Sequence, residues 1–205
     1  GLGMNHDPRD FWNERFGASD YAYGREPNDF VRSEAHRIPP GPVLCLAEGE
    51  GRNAVFFAER GHPVTAVDFS REGLRKTAAL ARERGVEVAT VLADLAEYPP
   101  PVEAFSGVVA VFAHLPPPVR RRVHGWIHGA LRPGGVFVLE GYHVDQLAFD
   151  TGGPRDAALL FSLSELSHEL APLRIEVGRQ VRRDVVEGRF HTGPSATVQL
   201  VAVRG

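Results

Sequence analysis

One cysteine, one methionine and two tryptophans are all that the 205 residues hold of those types. A single cysteine, Cys45, excludes an internal disulfide and any zinc motif built on paired cysteines. Its place in an apolar stretch predicts a small buried hydrophobe rather than a reactive thiol. No apolar run approaches the roughly 20 residues needed to cross a bilayer as a helix. Nor does a charged start followed by an apolar segment suggest a signal peptide, so a cytoplasmic protein is expected. Charge of neither sign is in excess: 23 basic and 26 acidic residues leave a formal net charge of −3. That balance lacks the electrostatic footprint of a nucleic-acid binder. The basic cluster Arg120-Arg121-Arg122 is expected on an exposed face of the helix after Pro118. Nine histidines occur, but without compact ligand spacing, and no metal is expected. Repeats, long low-complexity tracts and composition breaks are also missing. With 43% hydrophobic residues, the chain reads as one domain with a real core.

What is present starts with Val43-Leu44-Cys45-Leu46-Ala47-Glu48-Gly49-Glu50-Gly51-Arg52-Asn53. This reads as a buried strand, a glycine turn and the start of a helix. A second strand, Val64-Thr65-Ala66-Val67-Asp68, ends in an acid. Gly49 and Gly51 fall where a strand-to-helix turn must bend sharply or let a ligand approach without a Cβ in the way. An acid at the tip of the second strand can accept hydrogen bonds from both ribose hydroxyls, which points to an adenosine-containing cofactor. Gly49-x-Gly51-x-x-Ala54 also satisfies the loose dinucleotide fingerprint, so a nicotinamide-dependent oxidoreductase stands as an alternative. The rest of the chain favours S-adenosylmethionine. A third strand before Leu92-Ala93-Asp94-Leu95 places Asp94 where it can hold an adenine amino group. Phe105 to Phe112 makes a fourth strand, and Leu131-Arg132-Pro133-Gly134-Gly135 closes a helix before a fifth.

On these segments the chain resembles the class I S-adenosylmethionine-dependent methyltransferases. Further segments give a closer resemblance, to the small tellurite-resistance-like branch related to the thiopurine methyltransferases. They are Phe11-Trp12-Asn13-Glu14-Arg15-Phe16, Tyr21-Ala22-Tyr23-Gly24-Arg25-Glu26-Pro27-Asn28-Asp29-Phe30, the Cys45-to-Asn53 loop, His114-Leu115-Pro116 and Thr151-Gly152-Gly153-Pro154. One departure is Cys45, which stands where the family's first strand carries an acid. Glu48 and Glu50 lie inside the loop instead, and Glu48 is the candidate to meet the cofactor's methionine ammonium. The resemblance implies an α/β Rossmann-like methyltransferase sandwich. Its mostly parallel seven-stranded sheet has the order 3-2-1-4-5-7-6, with strand 7 reversed in a terminal antiparallel hairpin.

Along the chain, Gly1-Leu2-Gly3 ahead of Met4 reads as an expression remnant. Residues 4–41 form a helical lid segment, with one helix capped by Asp7 or Asp10 through Phe16 and another from Pro27 to about Arg37. Residues 42–205 form the methyltransferase core. Helix and strand alternate to about Tyr142, implying parallel strands joined by right-handed crossovers. A long connection then leads to a helix opened by the capping box Ser162-Leu163-Ser164-Glu165, and to two final strands. Expected cofactor contacts are Tyr23, Gly24, Glu48, Gly49, Gly51, Arg52, Asp68, Phe69, Ser70, Asp94 and Leu95. Trp12, Tyr21, Tyr142, His143 and His191 are candidates for the acceptor side, and His114 for a general base or acceptor contact. A small-molecule methyl acceptor is the expected partner. A domain that binds S-adenosylmethionine without catalysis is the remaining alternative. Methyl transfer needs neither a metal nor a covalent intermediate, since orientation and exclusion of water supply much of the rate.

Overall fold

The computed structural model describes residues 25–186 and 192–205. Trp12, Tyr21, Tyr23, Gly24 and His191 lie outside them, as does the helix expected before Phe16.

The first described helix, α1 (Asp29–Glu34), is opened by the Asn28 side chain, which accepts from the Val31 N–H, and runs into a 3₁₀ turn over Ala35–Arg37. Strand β1 (Val43–Leu46) is buried at every residue, as a run of Val, Leu and Cys predicts for the middle of a parallel sheet covered on both faces. Then follow α2 (Arg52–Glu59), β2 (Val64–Asp68), α3 (Arg71–Glu83), β3 (Ala89–Leu92) and β4 (Phe105–Val111). Helix α4 (Pro117–Ala130) leads into β5 (Leu131–Tyr142), which takes the Pro-Gly-Gly turn into its own start. Two short 3₁₀ turns precede α5 (Leu163–Leu170), and β6 (Arg174–Val186) and β7 (Thr192–Val203) close the chain.

The strands form one seven-stranded sheet in the order β3-β2-β1-β4-β5-β7-β6. Pairs from β3 through β5 are parallel, and β7 runs antiparallel to both β5 and β6. Alternation along the strands divides the core between the two faces. Leu44, Leu46, Val108, Phe137 and Leu139 pack with Val123, Ile127, Leu166 and Leu170 of α4 and α5. Val43, Cys45, Val109, Val136 and Val138 pack with Phe30, Val31, Ala54 and Phe57 of α1 and α2. Cys45 is fully buried there, and burial pushes its thiol pKa well up, as befits a packing residue.

The arginine cluster on α4 departs from expectation. Arg121 is exposed, but Arg120 is only 3% exposed, and Arg122 is half-buried and donates to the Tyr98 carbonyl. Arg120 donates to both oxygens of Glu169, to Glu165 and to the Ala158 carbonyl. It bolts α4 to α5, whose carboxylates follow it by 45 and 49 residues.

Candidate functional site

Strand order reverses between β1 and β4, because the chain winds outward from β1 to β3 before returning to β4 beside β1. In open α/β sheets the crevice outside the carboxyl ends at such a switch point is the ligand site. Two non-glycine residues at these strand ends hold left-handed backbone conformations: Ala47, just past β1, with φ 49°, and Phe112, just past β4, with φ 50°. Strain of this kind persists only where the surroundings impose it, and it concentrates at functional sites.

The loop from Ala47 to Gly51 is shaped by its glycines and fastened from both sides. Gly51 has φ 92°, and a Cβ there would lie 2.7 Å from Thr77 side-chain atoms of α3, so only glycine fits. The Thr77 hydroxyl lies 3.1 Å from the Gly49 carbonyl. Asp68, 4% exposed at the tip of β2, accepts from the Gly49 N–H through Oδ2 and from the Ser70 N–H through Oδ1, both at 2.8 Å. Burial raises its pKa against the pull of these bonds. The acid thus clamps the loop, and its oxygens keep further lone pairs for a ligand. Ser70 is fully buried and caps α3 by accepting from the Gly73 N–H, while Phe69 is half-buried beside it. Asp94 accepts from the Ala96 N–H in the turn after β3, and the Leu95 side chain packs into the core.

Glu48 has a role that the sequence did not disclose. Helix α2 begins just after Gly51, which has no side chain to cap it. Glu48 supplies the cap instead: its Oε1 accepts from the Asn53 N–H at 2.9 Å and the Ala54 N–H at 2.7 Å. A carboxylate at a helix N-terminus is favoured by the unpaired amides and by the dipole. Even so, burial raises the carboxyl to about 7, opposed by those two amides and by Arg52. Arg52 starts α2 and is buried rather than turned to solvent. The other loop acid, Glu50, is buried and ion-paired at 2.9 Å with Lys76 of α3. That contact could not be read from sequence, because neither residue has a local signal for it.

At the ends of β4 and β5, aromatic rings gather. The Phe112 and Tyr142 centroids are 4.7 Å apart, His114 lies 5.6 Å from Tyr142, and Phe161 lies 5.0 Å from His114. Tyr142 is fully buried beneath Gly153, where a Cβ would come within 2.7 Å of the ring. His114 Nδ1 faces the Leu159 carbonyl at 2.8 Å, and Nε2 faces the Tyr142 N–H at 3.3 Å. These partners require the neutral tautomer with its hydrogen on Nδ1. Burial lowers its pKa to about 4. A proton taken at Nε2 would cost the bond from Tyr142. His143 accepts from the Asp145 N–H and caps the following 3₁₀ turn. The Gly152-Gly153 segment is tied down by Gln146, whose amide donates to Thr151 Oγ1 and to the Gly152 carbonyl and accepts from the Ala196 N–H.

The site therefore brings together the glycine loop, Glu48, Arg52 and Asp68, with Phe69, Asp94 and Leu95 following β2 and β3. This defines an α/β enzyme of the nucleoside-cofactor kind. The reversed β7 separates it from the dinucleotide-binding order 3-2-1-4-5-6, which leaves the oxidoreductase alternative without support. Residues 43–135 match the family described as a methyltransferase domain. No curated protein matches the sequence. Among solved structures, a protein described as converting a disulfide bond into a thioacetal group during echinomycin biosynthesis is similar, with 19% identity and a TM-score of 0.76 over 95% of this chain and 88% of that one. An S-adenosylmethionine-dependent methyltransferase from Methanosarcina mazei has 17% identity and a TM-score of 0.69, covering 87% and 98%. TehB from Haemophilus influenzae has 15% identity and a TM-score of 0.69, covering 96% and 67%. Residues 43–135 are thus a methyltransferase domain, and S-adenosylmethionine is the cofactor that such a domain implies. The acid at the tip of β2, held by the Gly49 and Ser70 amides with lone pairs to spare, fits the ribose of that cofactor. No helix among the described residues is long and apolar enough to cross a membrane.

Proposed function

We infer that the chain transfers a methyl group to a small-molecule acceptor at the β1/β4 switch point. The observation that carries this is the loop Gly49–Gly51, clamped by Asp68 at the β1–β2 crossover. S-adenosylmethionine supplies an electrophilic methyl on a sulfonium, so the protein's task is to bind, orient and exclude water. Asp68 accepts from the ribose hydroxyls with the lone pairs that Gly49 and Ser70 leave. Asp94 meets the adenine amino group, and Phe69 and Leu95 flank the adenosine. Glu48 turns its second oxygen to the methionine ammonium, and Arg52 faces the carboxylate. From the sequence resemblance alone, Tyr23 and Gly24 are assigned to the cofactor, Trp12 and Tyr21 to the lid, and His191, with His143, to the acceptor side.

His114 we assign to holding the wall rather than to taking the acceptor's proton, since both ring nitrogens already serve backbone groups. The tellurite-resistance-like branch is supported by the N-terminal aromatic segments and by the likeness to TehB. A cytoplasmic location goes with this reading, because one buried cysteine asks for no oxidising compartment.

The test is S-adenosylhomocysteine formation, read by mass spectrometry, across thiols, chalcogen oxyanions, halides and small phenols, with binding followed by calorimetry. Asp68→Asn is expected to weaken cofactor affinity by at least about tenfold, the loss of one charge-assisted hydrogen bond. Unchanged affinity in the folded variant would remove Asp68 from the ribose. Tight nicotinamide binding without S-adenosylmethionine binding would sink the whole reading.

A further inference from the structure

Glu140 lies fully buried on β5, two residues before Tyr142, and has no part in the cofactor contacts above. Five donated hydrogen bonds converge on its two oxygens. Arg183 of β6 makes two, from Nε at 3.0 Å to Oε2 and from Nη2 at 2.6 Å to Oε1. Thr197 Oγ1 and Gln199 Nε2 of β7 each donate to Oε2 at 2.9 Å, and Asn28 Nδ2 donates to Oε1 at 2.8 Å. Burial alone would raise this carboxyl, but Arg183, Asn28 and Gln199 outweigh it and hold the pKa below the ordinary value. Glu140 is thus a satisfied buried anion rather than a proton carrier.

Its position matters because of where the Asn28 link leads. The Asn28 N–H donates to Asn53 Oδ1 at 2.9 Å, and the Asn53 N–H donates to Glu48 Oε1 at 2.9 Å. A continuous path therefore runs from the terminal hairpin through Glu140, Asn28 and Asn53 to the carboxylate at the cofactor loop. The main chain of Glu140 reaches the other side of the crevice as well, since its carbonyl accepts from the N–H of the strained Phe112 at 2.7 Å.

We propose that Glu140 is a positioning residue for the cofactor, holding Asn28 so that Asn53 and the first turn of α2 present Glu48 correctly. The inference rests on the function assigned above. It adds that the β6–β7 hairpin, far from the glycine loop in sequence, sets cofactor affinity through this path. Asn28 is the join, and a merely structural carboxylate would not transmit an effect through it.

The experiment is a double-mutant cycle on S-adenosylhomocysteine affinity, by calorimetry on the full chain well below its melting temperature. Glu140→Gln keeps the shape but turns an amide toward donors. Asn53→Ala removes the acceptor for the Asn28 N–H. Each single variant is expected to weaken binding about tenfold, and the double variant less than about twofold further, the non-additivity of residues in one network. Asn28→Ser keeps a helix cap and leaves Glu140 its Arg183, Thr197 and Gln199 donors while losing the amide link. It carries the test if Glu140→Gln does not fold, and should be equally non-additive with Asn53→Ala. Multiplying losses in the double variant, or a lowered melting temperature with unchanged affinity, would overturn the proposal. Absence of any binding by the wild-type chain would instead overturn the function itself.

Discussion

At the scale of single residues, the site is governed by groups held against their own preferences. Glu48 is the clearest: a carboxyl at a helix N-terminus that burial nonetheless brings to about 7. A methionine ammonium beside it would favour the anion, so binding below that pH should release a proton. Affinity for S-adenosylhomocysteine is expected to climb as pH rises toward about 7 and then level off, with Glu48→Gln showing a flat profile. Calorimetry in two buffers of different ionisation heat reads the released proton directly. The ligand-free protein has the opposite sign. With the folded pKa raised above the ordinary value of 4.5, the stability from Glu48 is whole below 4.5 and lost as pH rises through about 7. Ala47 offers a second test, because its φ of 49° suits glycine. Relief of left-handed strain exceeds the entropy cost of glycine, so Ala47→Gly should raise unfolding free energy by about 0.5–1 kcal/mol. Urea unfolding measures it, and a less stable variant would show that no strain is stored there.

Among the elements, the coupling of α4 to α5 stands out. Arg120 faces Glu165 and Glu169, and His124, one turn along α4, lies 2.8 Å from Glu169. Burial would raise the Glu169 carboxyl, but His124 and Arg120 outweigh it and bring it to about 2. Its folded pKa being depressed, this group adds stability that is complete above 4.5 and lost as pH falls through about 2. Arg120→Ala leaves that carboxylate buried without its cation and is expected to cost about 3–5 kcal/mol. Thermal or urea unfolding at neutral pH checks this. A loss below about 1 kcal/mol, the scale of surface pairs, would mean that solvent reaches the cluster freely. Phe161 packs in one core with Leu166 and Leu170 of α5 and lies against His114, so on the proposed function such a loss should reach turnover as well.

For the whole molecule, the glycine loop, the β2 tip and the β4–β5 ends belong to different crossovers that meet only in the assembled sheet. A ligand bridging them stabilises the folded state by mass action. At a hundredfold excess over Kd, S-adenosylhomocysteine should add about 2.7 kcal/mol, which for a chain of this length raises Tm by roughly 5–10 °C. Differential scanning fluorimetry reads it, and no shift at saturation would argue against the assigned cofactor site.

What the residues determined by themselves was the run of elements and the glycine loop. Strand, glycine turn, helix and strand-end acid are local patterns, set by periodicity and by backbone freedom at Gly51, and they need no tertiary partner to be read. The sheet order with β7 reversed was legible through resemblance to a family rather than through periodicity, which says nothing about which strands pair. Only the tertiary structure decided the rest. Arg120 looks like a surface residue until α5 arrives against it, and Glu48 looks like a ligand residue alone until Gly51 leaves α2 without a cap. Glu140 meets Asn28 across 112 positions. Polar side chains like these carry no sequence signal for burial, because what allows it is a partner that folding brings from elsewhere in the chain.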